Sequence, residues 1–311
     1  MSILDQEGKY DIHALDFLGQ GRSSKPIYSG DGYNLVPTSD INDDVSSSGM
    51  MIMGKNTNSN VHYSIFLWSQ MVDDYAREFG FINVVLMGNS LGSLVALSAT
   101  TESNYLLGKV KGLCLFNCGV GLNSRNIVKN PMLNPIQRIM FNLLFDVLNL
   151  LIFNNKILLQ YALNNIVTKE LLKDALRSLY IHSKDRVDDE LINSFYYPAK
   201  MGGDGAVEAI RQIYTNDAGL TPMEYHTKYS MILDNLPIHL IWGLDDVITP
   251  ITGDVGVFYC DRVANNRSGN GKITLDVIQK SGHIPFDDNP IETHTSMLRW
   301  LEKKILPSIA I

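Results

Sequence analysis

With 311 residues, 45% of them hydrophobic and 19% charged, the chain has the size and composition of one large globular domain with room for a smaller insertion. A net charge of −7 leaves no electrostatic case for binding nucleic acid or an anionic lipid surface. Cys114, Cys118 and Cys260 have neither metal-ligand spacing nor the look of a disulfide framework.

The opening MSILDQEGKYDIHALDF lacks the pattern of a secretory signal. Tyr10 to Phe17 predicts a short strand, and Gly19 to Pro26 a loop. From 28 to 60 the residues turn to Ser, Asn, Asp and Gly, which predicts a long polar surface loop. Tyr63 to Phe79 carries Ile65, Leu67, Trp68, Met71, Val72 and Tyr75 at helical spacing, so an amphipathic helix is expected. A strand over Asn83 to Met87 leads into Gly88-Asn89-Ser90-Leu91-Gly92 and a helix-forming run. Val110 to Cys118 is a further buried strand.

Strand-like patterning then stops, and helical segments follow at 134–153, 155–166, 168–180, 187–195 and 205–214. The most hydrophobic stretch, Ile139 to Leu151, contains Asn142, Asp146 and Asn149 and is predicted to be too short and too polar to span a bilayer. The chain therefore reads as soluble, with no transmembrane segment. Strands resume at 238–243 and 273–280, and a helix over 291–304 closes the chain. This order predicts an α/β core over 1–121 and 233–311, with a mostly parallel sheet covered by helices on both faces and interrupted by a helical cap over 122–232.

Gly88-Asn89-Ser90-Leu91-Gly92 is a G-x-S-x-G turn between strand and helix, the setting of a nucleophile elbow. Such a turn strains the serine backbone and lifts its Oγ clear of the sheet, and the flanking glycines are expected to relieve crowding between strand and helix. The amide of Leu91 would face a developing oxyanion at the positive end of the helix. A serine hydroxyl needs a base, and the base an orienting carboxylate. Asp245 and Asp246 follow the strand at 238–243, where parallel sheets gather their sites, although either could simply cap a helix. His283 follows the last strand, after Gly282, which offers a bend that turns the imidazole inward. His13, His62, His182, His226, His239 and His294 have no comparable setting and read as structural.

Together these segments resemble the α/β-hydrolase superfamily. ALDFLGQGRSSKP is similar to its D-x-x-G-x-G-x-S loop, GNSLGSLVAL to its elbow, LIWGLDDVITP to its W-G-x-x-D acid segment and SGHIPFDDNP to its G-H-x-P segment. The resemblance implies a triad of Ser90, Asp246 and His283, and the register selects Asp246 over Asp245. DFLGQG, the polar insertion, YSIFLWSQMVDDY and the stretch LYIHSKDRVDDELINSFYYPAKMGGDGAVEAI are similar to plant and algal plastid hydrolases of the pheophytinase-like branch. That likeness implies a chloroplast enzyme cleaving a carboxylic ester of a lipophilic small molecule, without metal or organic cofactor. A serine at the elbow is unsuited to the haloalkane-dehalogenase and epoxide-hydrolase chemistry of this fold, which uses a carboxylate there.

The chain also departs from that family. No His-Gly pair, the family's source of a second oxyanion donor, occurs in it, and Met1 falls where the family is already well inside its fold. The departure implies a chain truncated at its N-terminus, which would also remove any transit peptide. One oxyanion donor is worth about 2.7–4 kcal/mol. A missing third strand would leave the strands at 10–17 and 83–87 without a shared neighbour. The alternatives to an esterase are accordingly a binding protein with impaired turnover, or an acyltransferase in which an alcohol or thiol replaces water.

Overall fold

The computed structural model describes residues 10–26, 62–130, 133–265 and 272–309, together with the backbone of 33–35 and 53–55. In the stretch expected to be a polar loop, β1 (Tyr33–Leu35) and β2 (Met53–Lys55) pair as an antiparallel ribbon. The rest of 28–60 lies outside the described residues. Helix α1 (Ile65–Glu78) starts at Ser64, whose hydroxyl accepts a hydrogen bond from the Leu67 amide and so satisfies one of the free donors of the first turn. Strand β3 (Val84–Asn89), helix α2 (Leu91–Thr101) and strand β4 (Val110–Phe116) follow.

The helical block contains α3 (Pro135–Leu148), α4 (Lys156–Tyr161), α5 (Lys169–Arg177), α6 (Asp189–Met201), α7 (Gly203–Thr215), α8 (Pro222–Lys228) and α9 (Ser230–Leu233). Then come β5 (Ile238–Gly243), α10 (Asp254–Ala264), β6 (Ile273–Ile278), α11 (Pro285–Asp288) and α12 (Pro290–Trp300). The four long strands form one parallel sheet in the order β3-β4-β5-β6.

Alternation along the central strands divides the core between the two sheet faces. Leu113, Leu115, Ile238, Leu240 and Trp242 pack with Trp68 of α1, Leu94 and Leu97 of α2, and Tyr259 of α10. Cys114, Phe116 and Ile241 pack on the opposite face with Met297, Trp300, Leu301 and Ile305 at the C-terminal end of the chain. Gly112 makes room there, since a Cβ on it would lie 2.5 Å from Ile305 Cδ1.

Two expectations change. Tyr10 to Phe17 forms no strand. Among the described residues β3 has a neighbour on one side only, and this segment does not pair with its free side. It lies along α1 instead, with Phe17 stacked on Trp68 at 5.5 Å and His13 bonded to the Tyr75 hydroxyl at 2.9 Å. The apolar stretch also belongs to a longer apolar helix than expected. A π-helical turn, Asn149–Phe153, extends α3 into a helix of 19 residues, Pro135–Phe153, long and apolar enough by length and composition to cross a membrane.

Candidate active site

Residues that follow the carboxyl ends of all four parallel strands converge. Ser90 follows β3, Asn117 follows β4, Asp246 lies three residues beyond β5 and His283 five beyond β6. Such strand ends are where open parallel sheets place their sites. Ser90 has φ 51°, the left-handed region that a non-glycine residue occupies only at a cost of roughly 1–3 kcal/mol. The strain is held by hydrogen bonds from Ser90 N to the Phe116 carbonyl at 2.9 Å and from Gly119 N to the Ser90 carbonyl at 3.1 Å. Gly88 is required by space, because a Cβ there would lie 2.1 Å from the Gly92 carbonyl oxygen. Gly92 is not: a Cβ on it would meet nothing within 4 Å, so only one of the two flanking glycines relieves a clash.

Asp246 and His283 meet directly, with His283 Nδ1 2.9 Å from Asp246 Oδ2. Asp246 is 3% exposed and His283 8%, whereas Asp245 faces solvent. Asp246 Oδ2 also accepts from the Thr249 hydroxyl at 2.7 Å and the Asn117 amide at 2.6 Å, and Oδ1 accepts from the Ile248 amide at 2.8 Å. Burial opposes its charge, but the hydrogen bonds from His283, Thr249 and Ile248 outweigh burial and hold the carboxyl below its usual value. It is therefore an ionised partner for Nδ1 near neutral pH, and Nε2 is the ring nitrogen left for other partners. Among the described residues no hydrogen bond joins the Ser90 hydroxyl to His283. In ligand-free sites such contacts often tighten only when substrate is bound.

The histidine loop is held from both sides. Gly282 does not have a left-handed backbone. Its role is close approach, since a Cβ on it would lie 2.3 Å from the Leu179 carbonyl, which also accepts the His283 amide at 3.0 Å. Behind it the fully buried Asp288 collects four backbone amides: Gly282 at 2.8 Å, Ile181 at 2.8 Å, His182 at 2.8 Å and Ser183 at 2.7 Å. The Leu91 amide opens α2 and so has no acceptor within its own helix. Among the described residues no group of three or more His, Cys, Asp or Glu is placed to hold a metal ion.

Residues 2–290 match the family model described as the alpha/beta hydrolase fold. The chain belongs to the α/β-hydrolase family. No curated protein matches it. Among solved structures this α/β hydrolase is similar to a probable hydrolytic enzyme from Pseudomonas aeruginosa, at 14% identity and TM-score 0.50 over 78% of this chain and 71% of that one. An esterase from Thermogutta terrifontis shares 15% identity, with TM-score 0.48 over 80% of this chain and 76% of that one. A meta-cleavage product hydrolase from Pseudomonas fluorescens shares 14%, with TM-score 0.48 over 80% and 75%. Likeness at this level is one of fold.

Sequence reasoning missed Asn117 and Thr249. Asn117 donates to Asp246 and to the Gly282 carbonyl at 3.0 Å, and accepts from the Gly243 amide at 2.9 Å. It therefore ties together the loops after β4, β5 and β6. Its φ of 41° suits asparagine, which tolerates the left-handed region better than most residues. The signal was a polar residue closing the otherwise apolar run LCLFNC.

Proposed function

We propose that the chain is a serine hydrolase that cleaves a carboxylic ester of a lipophilic substrate through an acyl-enzyme, in the manner of the pheophytinase-like branch. The observation that carries this reading is a strained serine between Gly88 and Gly92 on the same sheet edge as a buried Asp246–His283 pair. Ser90 Oγ attacks the ester carbonyl and its proton passes to His283 Nε2, while Asp246 stabilises the imidazolium. The charge developing on the carbonyl oxygen faces the Leu91 amide. His283 gives its proton to the departing alcohol, then takes one from the water that attacks the acyl-enzyme and returns it to Ser90.

A cavity of about 590 Å³ lies beside the histidine loop, and its wall of Leu176, Leu191, Phe195, Ile284 and Phe286, next to the charged Arg186 and Asp287, offers surface to an apolar substrate group. The test is labelling of the folded chain by a fluorophosphonate probe, followed by hydrolysis of p-nitrophenyl esters of increasing chain length. Labelling that disappears in Ser90→Ala, with turnover rising with chain length, is the expected outcome. Turnover that needs an added alcohol acceptor would instead identify an acyltransferase. A second reading, a binding protein with impaired turnover, is favoured by one observation: among the described residues the strand that carries Ser90 is paired on one side only. Absence of Ser90-dependent labelling would select it.

A further inference from the structure

We propose that Asn117 is a positioning residue that fixes the contact between Asp246 and His283, because one amide nitrogen holds both the acid and the loop that carries the imidazole. Asn117 Nδ2 donates to Asp246 Oδ2 at 2.6 Å and to the Gly282 carbonyl at 3.0 Å, so its two hydrogens serve two different loops. Asp246 Oδ2 is the same oxygen that meets His283 Nδ1. The Gly282 carbonyl belongs to the peptide group shared with His283, which is planar and so passes the constraint directly to the histidine backbone. This role rests on the hydrolase reading, while the contacts stand without it.

Asn117 is itself a fixed point. Its backbone amide donates to the Ile241 carbonyl at 3.0 Å, and its carbonyl accepts from the Thr249 hydroxyl at 3.1 Å. Its Oδ1 accepts from the Gly243 amide at 2.9 Å, which anchors the side chain to the end of β5. These partners allow one orientation only. A flipped amide would set its oxygen against a carboxylate and a carbonyl, and its nitrogen against the Gly243 N–H. The place therefore calls for two donors on one atom with an acceptor beside it, on a short side chain. Asparagine supplies that set, whereas an ionised aspartate has no donor and a leucine neither donor nor acceptor.

The other groups around the pair do different work. Thr249 and the Ile248 amide also donate to the Asp246 carboxylate, at 2.7 and 2.8 Å. Both lie in the loop of Asp246 itself, so they orient the carboxylate without reference to the imidazole. Asp288 and the Leu179 carbonyl tie the histidine loop to the stretch 179–183, not to the acid. The Asp245 amide joins the two loops through the Ser281 carbonyl at 3.0 Å, but that bond does not touch the carboxylate. Apart from His283, Asn117 is the group among the described residues that links the carboxylate to the histidine loop. Asn117, Asp246, Gly282 and His283 are all buried, so bulk water does not make up for a bond that is lost.

The test on the full chain pairs hydrolysis of a p-nitrophenyl ester with proton NMR of the downfield N–H resonance of an imidazole held by a carboxylate, assigned by its absence in His283→Gln. In Asn117→Ala, with circular dichroism unchanged, that resonance should be lost and kcat should fall about 10²-fold at constant KM. Asn117→Asp keeps the size of the side chain and tolerates the left-handed backbone. Its carboxyl can donate to Asp246 only when protonated and repels it when ionised, so the ratio of variant to wild-type kcat should fall as pH rises. A side chain that merely fills space would give a ratio that pH does not move. Thr249→Val removes a donor from the same oxygen but no link to the histidine loop, and should leave the resonance in place. A wild-type spectrum without the resonance would overturn the proposal, as would a resonance and kcat that both Asn117 variants keep. Loss of the resonance in Asn117→Ala, in a chain without Ser90-dependent turnover, would support the positioning role and overturn the hydrolase reading alone.

Discussion

Along β5 every residue from Ile238 to Gly243 is buried and strands pair on both sides, whereas along β3 no residue is fully buried and only β4 pairs with it. The candidate site is also held differently on its two sides. Asp246 and His283, beyond β5 and β6, sit in a dense set of hydrogen bonds with Asn117 and Thr249. Ser90, beyond β3, is held by backbone bonds to the loop after β4. The acid-base half is thus fixed by side chains from several strand ends, and the serine half by local backbone geometry on a sheet edge. For stability, loss of a side chain should be costly along β5 and mild along β3, whereas turnover should depend on both halves of the site.

The largest effect is expected on turnover. Asp246→Asn should preserve the fold but lower kcat by roughly 10⁴, because an amide favours the wrong imidazole tautomer; ester hydrolysis with circular dichroism as control measures this. A reduction below tenfold would remove Asp246 from the proposed triad. For stability, Leu240→Ala at the fully buried centre of β5 should cost about 2–5 kcal/mol in urea unfolding.

Acid should act on the same side. His239 on β5 is buried between Thr274 and Ser296, and burial brings its pKa down to about 4. The fold then keeps it neutral while the unfolded chain protonates it from about 6.5, so the unfolded state binds more protons and stability falls as pH drops from 6.5 to 4. The loss from this residue should reach up to about 3 kcal/mol, and His239→Gln should flatten the slope of thermal midpoint against pH. The smallest effect belongs to β3. Met87→Ala, at a position 40% exposed, should cost less than about 1 kcal/mol in the same urea experiment. Equal costs for Met87→Ala and Leu240→Ala would erase the contrast between the two sides.

The parts legible in the sequence are those with local causes. Alternating apolar residues and the glycine of a crowded turn are short-range signals, so β3 to β6, the Ser90 turn and most of the helical block could be read directly. Partnership is not local. Asn117 meets Asp246 across 129 positions, and no spacing rule announces such a contact. Tyr10 to Phe17 has the residues of a strand but packs along α1 and pairs with no strand.

Asp288 ties the stretch Ile181 to Ser183, within the helical block, to Gly282 beside His283. These four bonds couple any movement of this stretch to the loop that carries His283. On the proposed chemistry, any opening of the helical block that admits substrate must therefore hinge elsewhere along it, or else carry His283 away from Ser90 and idle the site while it stands open.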